Sequence, residues 1–216
     1  MRNAIILGVL LAAATAHADD HNELTLTETN RALRTSSANA VTGDSLIGGA
    51  LGYARKLDIE LVPRLELWAT GAFAWGGADG QMFQTLTTRI DALAFTVGAR
   101  ARYALHRLVA ASARIDVGTA RAALSLNDEM GHSASDHGWG ATTQAGVALD
   151  FYALRGTHVT LGLRFELSEV ATSSIPLTAT PDSSSADALT LEMTAASLGS
   201  LNLSGPCFAA SFVGQF

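Results

Sequence analysis

Long stretches of this chain repeat with a period of two, the signature of strands that present different chemistry to their two sides. From Leu61 to Trp75, one face carries Leu61, Pro63, Leu65, Leu67, Ala69, Gly71, Phe73 and Trp75, and the other carries Arg64, Glu66, Trp68 and Thr70. The pattern recurs in Leu93 to Tyr103, where Leu93, Phe95, Val97, Ala99, Ala101 and Tyr103 oppose Thr96, Gly98, Arg100 and Arg102. It recurs in Val109 to Gly118, with Ser112, Arg114 and Asp116 on the polar side. Further along, Thr143, Ala145, Val147, Leu149 and Phe151 oppose Gln144 and Asp150, and Leu161, Leu163, Phe165 and Leu167 oppose Arg164, Glu166 and Ser168. Several of these segments exceed the roughly 9–11 residues that a tilted strand needs to cross a bilayer.

Composition narrows the choice of solvent. Only 16% of residues are charged, against about 25% in ordinary soluble domains, so something other than water is expected to face part of the surface. After the N-terminal leader no apolar run reaches the roughly 18 residues of a membrane helix, which leaves strands as the spanning element. The net charge of −6 and the single lysine, Lys56, argue against nucleic acid as a partner, because phosphate binding needs clustered cations. One cysteine, Cys207, cannot form an internal disulfide framework.

Residues 1–18 read as a secretory signal peptide: Arg2 as the charged start, Ala4 to Ala14 as the apolar stretch, and Ala16-His17-Ala18 as the cleavage site. The expected mature domain is 19–216. Its connections alternate in length, tight near Leu105 to Arg107 and Arg155 to Thr157, long and polar over Gly76 to Thr85, Asn127 to Gly138 and Ser173 to Ser197. Short turns on one side and long loops on the other characterise outer-membrane barrels. Adding strands at Leu24 to Arg34 and Leu46 to Leu57, and one bent final strand from Leu201 to Phe216 with Gly205-Pro206 as its kink, predicts eight. The expected fold is all-β: a closed, antiparallel, up-and-down transmembrane β-barrel. Closure follows because hydrocarbon offers no partner to an open sheet edge.

In this register Arg64, Glu66, Arg100, Arg102, Arg114, Asp116, Asp150, Arg164 and Glu166 face the lumen, as a polar core near the short turns. On the lipid side each Arg would cost about 2–4 kcal/mol near the midplane. Tyr53 and Tyr103 fall near the short-turn ends and Phe73, Trp75 and Trp139 near the long-loop ends, as interfacial aromatics do. Trp68 points inward.

The C-terminal segment Phe208-Ala209-Ala210-Ser211-Phe212-Val213-Gly214-Gln215-Phe216 alternates apolar residues and closes on Phe. It resembles the insertion signal read by the barrel assembly machinery, with Phe208, Phe212 and Phe216 as its anchors. With the leader and the loop pattern, the chain resembles the small outer-membrane β-barrel proteins of the OmpA-like and OmpW-like type. That resemblance implies location in the bacterial outer membrane, outer-membrane lipid as surroundings, and a structural, adhesive or small-solute role without a shared active site.

Two weaker clusters remain. Asp128, Glu129, His132, Ser133, Asp136 and His137 share one loop stretch, but their spacing matches no metal motif. Cleavage after Ala18 would start the mature chain Asp19-Asp20-His21, and a His third from a free amine can complete a square-planar nitrogen site for Cu(II) or Ni(II). Neither outweighs a solvated loop and a polar terminus, so no metal, cofactor or catalytic residue is assigned. The expected function is a structural or surface-interaction barrel rather than an enzyme. The alternatives are a narrow conduit for small or apolar solutes, an outer-leaflet lipid-modifying enzyme using His132 or His137, and a soluble lipocalin-like binder with its apolar faces turned inward.

Overall fold

A computed structural model describes residues 21–34, 42–59, 62–82, 86–128, 133–155, 159–181 and 196–216; the leader region, Glu129 and His132 lie outside them. The strands are β1 (Asn22–Ala32), β2 (Ser45–Leu57), β3 (Leu65–Met82), β4 (Leu86–His106), β5 (Val109–Asp128), β6 (Ser133–Arg155), β7 (Thr160–Thr172), β8 (Ile175–Pro181), β9 (Ala196–Leu201) and β10 (Gly205–Gln215). Eight form the wall, in the order β5-β4-β3-β2-β1-β10-β7-β6, and β6 returns to β5 to close the ring. Every wall pairing is antiparallel. The first and last strands lock together from Glu23 opposite Gln215 to Arg31 opposite Cys207, and Asn22 and Phe216 exchange backbone hydrogen bonds of 3.0 and 2.9 Å. The ring of eight therefore has no free edge.

Three sequence expectations about connections are corrected. The stretches 76–85 and 127–138 are chiefly strand: β3 runs to Met82, β4 starts at Leu86, β5 reaches Asp128 and β6 starts at Ser133. Ladder pairing such as Asp79 with Arg89 and Ser125 with Ser135 carries these polar residues above the apolar segments. Within 173–197, β8 is strand: it pairs with β6, Ala134 opposite Pro181 and Ser135 opposite Thr180, and on its other side with β9. The final segment is not one bent strand. It breaks over residues 202–204, ahead of Gly205-Pro206, because side chains there take over backbone partners. Thr172 Oγ1 accepts from Leu203 N at 2.8 Å, Ser204 Oγ accepts from Thr172 N at 2.9 Å, and Asn202 Oδ1 accepts from Ser204 N at 2.9 Å. The wall count of eight is unaffected.

The two faces of the wall exchange character along the strands. Toward the short turns, Phe95, Val97, Ile115, Val117, Val147, Leu149, Phe165 and Phe212 point outward and are exposed, while charged groups point in. Toward the long loops, Asp79, Gln81, Arg89, Asp91, Asn127, Ser135 and His137 point outward and are exposed. There the interior is apolar, with Leu46, Ala78, Ile90, Ala92, Ala122 and Leu124 in one buried cluster. Trp75 on β3 and Trp139 on β6 stand outward at the changeover. Apolar residues lining the barrel axis at one end and its outer wall at the other mean that the surrounding solvent changes along the barrel.

Candidate functional site

The interior at the short-turn end is filled by an ionic network whose hub is Glu23, fully buried at 0% exposure. Arg100 Nη1 donates to Glu23 Oε1 at 2.6 Å, and Arg164 donates to both oxygens at 3.0 and 3.2 Å. Arg164 Nε also bonds Asp150, whose second oxygen accepts from Ser112 Oγ at 3.4 Å. Gln215 Nε2 donates to Glu23 at 3.1 Å and to Tyr152 Oη at 3.3 Å. Nearer the turns, Glu66 accepts from Lys56 at 3.0 Å and Trp68 Nε1 at 3.3 Å, and pairs with Arg102 at 3.2 Å. Trp68 lies 5.1 and 6.0 Å from the guanidinium carbons of Arg100 and Arg102. Its π face meets cations whose Nε atoms have no acceptor among the described residues.

A second group sits higher. Arg114 donates to Glu166 through Nε at 2.9 Å, pairs with it through Nη2 at 2.7 Å, and reaches Asp116 at 3.3 Å. Thr70 donates to Asp116 at 2.7 Å, and Gln144 donates to Glu166 and Ser168 at 3.3 and 2.9 Å. Bidentate contacts and shared acceptors of this kind satisfy buried charges, which would otherwise be costly to hold.

Above these ion pairs lies a cavity of about 100 Å³, with Thr25, Thr29, Thr96, Ala94, Ala120 and Arg31 among its lining. It is roofed by the apolar cluster. Ile175 and Leu177 of β8, Leu201 of β9 and Leu203 just beyond join Leu33, Leu46, Ile90 and Leu124. The hairpin can lie close beside β6 because Gly138 and Gly140 leave room: a Cβ on Gly138 would stand 2.6 Å from Ile175 Cγ2 and 2.8 Å from Pro176 O. The lumen is thus polar at one end, hollow in the middle and apolar at the other.

Of the nine residues expected in the lumen, Glu66, Arg100, Arg102, Arg114, Asp116, Asp150, Arg164 and Glu166 meet in these networks. Arg64 does not. It ends the β2–β3 turn with φ 70°, exposed, its carbonyl accepting from Ala104 N at 3.1 Å; the expected alternation begins at Leu61, four residues ahead of β3. The sequence reading missed Glu23, Arg31, Lys56, Tyr152 and Gln215. The signal is present in Glu23, Thr25, Thr27, Thr29 and Arg31 alternating with Leu24 and Leu26, but the expected strand, Leu24 to Arg34, begins two residues after Asn22, where β1 starts, and so leaves Glu23 out.

Tyr53, Trp75, Tyr103 and Trp139 face outward and are exposed. Phe73, expected near the long-loop end, packs mid-strand between Trp75 at 5.8 Å and Phe95 at 4.8 Å, because β3 continues nine residues beyond it. Phe208 and Phe212 are exposed on the outer wall, and Phe216 is half-buried where it closes on Asn22. His21 is exposed, with Nδ1 3.9 Å from an Asp58 oxygen. His137 points outward from β6 and Asp136 inward, so these neighbours do not converge. Among the described residues no group of three His, Cys, Asp or Glu could hold a metal.

No described protein family matches the sequence, and no curated protein does. Solved structures do. The attachment invasion locus protein Ail of Yersinia pestis is 10% identical over 90% of this chain and 95% of its own, with a TM-score of 0.44. Neisserial surface protein A is 10% identical over 92% and 98%, with a TM-score of 0.43. The translocator domain of the autotransporter NalP from Neisseria meningitidis is 12% identical over 99% and 96%, with a TM-score of 0.39. At these TM-scores the likeness carries no argument. The closed ring stands on its own pairings, Glu23 with Gln215 and Val109 with Phe151.

Proposed function

We propose that this chain is an integral β-barrel of the bacterial outer membrane with a structural or surface-interaction role, exercised by the part of the barrel beyond the bilayer. The observation that carries the reading is the exchange of faces. On β4 the outward apolar run from Leu93 to Tyr103 matches the roughly 9–11 residues that a tilted strand spends in hydrocarbon. Beyond it the outward residues are Asp91, Arg89 and Thr87. A soluble lipocalin-like barrel would put its large apolar side chains inside along its whole length; here Phe212 is 66% exposed and Val97 64%.

The interior supports a closed barrel rather than a conduit. A solute would have to part the Glu23, Arg100 and Arg164 contacts at one end and displace Ile175, Leu177, Leu201 and Leu203 at the other. The polar surface left for a partner is therefore outside: the extensions of β3 to β6 and the connections they carry. The exported leader and the insertion signal at Phe216 belong to the same reading, with the assembly machinery as a transient partner.

The test combines location and conductance. Protease added to intact cells is expected to cleave within 173–204, and the purified protein in a planar bilayer is expected to give no steady porin-like current. Protection of every site in intact cells would contradict the orientation. A stable open channel would contradict the closed lumen.

A further inference from the structure

Below the apolar roof the interior holds six cations, Arg31, Lys56, Arg100, Arg102, Arg114 and Arg164, and five carboxylates, Glu23, Glu66, Asp116, Asp150 and Glu166. Five of the cations have a carboxylate within 4.0 Å. Arg31 has none among the described residues. It stands on the inner face of β1, directly opposite Cys207 of β10, and lines the central cavity. Its Nη1 donates to the Leu203 carbonyl at 3.3 Å, and its Nε is buried without an acceptor.

A guanidinium keeps its charge in any protein environment, so this site cannot be relieved by losing a proton. Nor can water relieve it fully, since water supplies acceptors for the N–H groups but no compensating charge. A mobile anion in the cavity would supply the missing charge. The cavity of about 100 Å³ has room for a few water-sized groups, and Thr25, Thr29 and Thr96 on its wall carry hydroxyls able to donate. Glu166 lines the same cavity, but Arg114 already engages both it and Asp116.

We propose that the lumen binds one small monovalent inorganic anion, of halide or nitrate size, beside Arg31. Such a site requires only the closed ring, whatever surrounds the barrel.

The experiment is thermal unfolding of the purified chain, refolded in detergent at constant ionic strength with sodium bromide, chloride or nitrate replacing sodium gluconate stepwise. Gluconate is too large for the cavity. A saturable rise in Tm is expected with each small anion, and its loss in Arg31→Met. General salt effects act over the whole surface, rise without saturating and persist in that variant. Arg31→Lys keeps a cation, and is expected to weaken the anion dependence several-fold; it decides the matter where Arg31→Met does not fold. Equal Tm in bromide and gluconate for the unaltered chain would overturn the proposal. So would a saturable rise that survives undiminished in the variants.

Discussion

Phe95 and Ile90 lie on one strand and point to opposite sides of the wall: Phe95 faces outward at 51% exposure, and Ile90 faces inward at 0%. Between them the strand keeps its period of two, so no bulge turns it over. What changes is which side is apolar. Arg89 and Asp91, beside Ile90, face outward and bond one another at 3.1 Å. Arg100, below Phe95, faces inward to Glu23. A single strand thus carries two outer surfaces, apolar along its lower part and polar along its upper part, which the proposed reading assigns to hydrocarbon and water.

The ionic hub predicts a large effect from one carboxylate. Glu23→Ala leaves Arg100 without its carboxylate partner and removes one of the two held by Arg164. Breaking a buried pair from one side costs about 3–5 kcal/mol, and urea unfolding in lipid vesicles is expected to show a loss of that size. Glu23→Gln combined with Arg100→Gln is expected to lose less, since no charge is then left uncompensated. A Glu23→Ala barrel within about 0.5 kcal/mol of the unaltered chain would contradict the hub.

The roof of the lumen depends on the absence of side chains on β6. In Gly138→Val the added atoms would meet Ile175 Cγ2 and the Pro176 carbonyl, and a backbone atom cannot step aside cheaply. Hydrogen exchange is expected to quicken at Leu177 and Leu203 while the amides of Phe165 and Phe212 keep their protection. Unchanged exchange at the hairpin would show that it does not rest on that glycine.

Glu28 is an acidic side chain on the outer wall, exposed, beside Leu26 along β1 and opposite Gly49 and Ala210. Trp75 and Phe165 continue the same transverse row. In hydrocarbon a carboxylate is unfavourable, though less so than Arg or Lys. Glu28→Leu is therefore expected to raise unfolding stability in vesicles by up to about 2 kcal/mol. A neutral result would place this sector against water or a protein rather than lipid.

Much of the wall was legible from the sequence because a period of two is local. Alternation alone put Glu66, Arg100, Arg114, Asp150, Arg164 and Glu166 inside and Phe95, Val147 and Phe212 outside. The eight-strand count followed from requiring closure with both ends on one side. Polar strand extensions were not legible, since Asp79 to Gln81 and Ser133 to His137 read as loops until they are paired across the ladder. The lumen roof was hidden for a related reason. Ile175, Leu177, Leu201 and Leu203 are distant in sequence from Ile90 and Leu124, and no periodicity says that the β8–β9 hairpin covers the interior of the ring. Glu23 fell at a strand boundary, where alternation has its least support.

The exchange of faces is tested most directly by cysteine accessibility in a bilayer. In a Cys207→Ala background, single substitutions Val97→Cys, Ile115→Cys, Arg89→Cys and Asn127→Cys would be reconstituted into vesicles and treated with a water-soluble maleimide. Protection at 97 and 115 with rapid labelling at 89 and 127 is the predicted result. Equally rapid labelling at all four positions would mean that water surrounds the whole barrel, and would contradict a membrane-spanning wall.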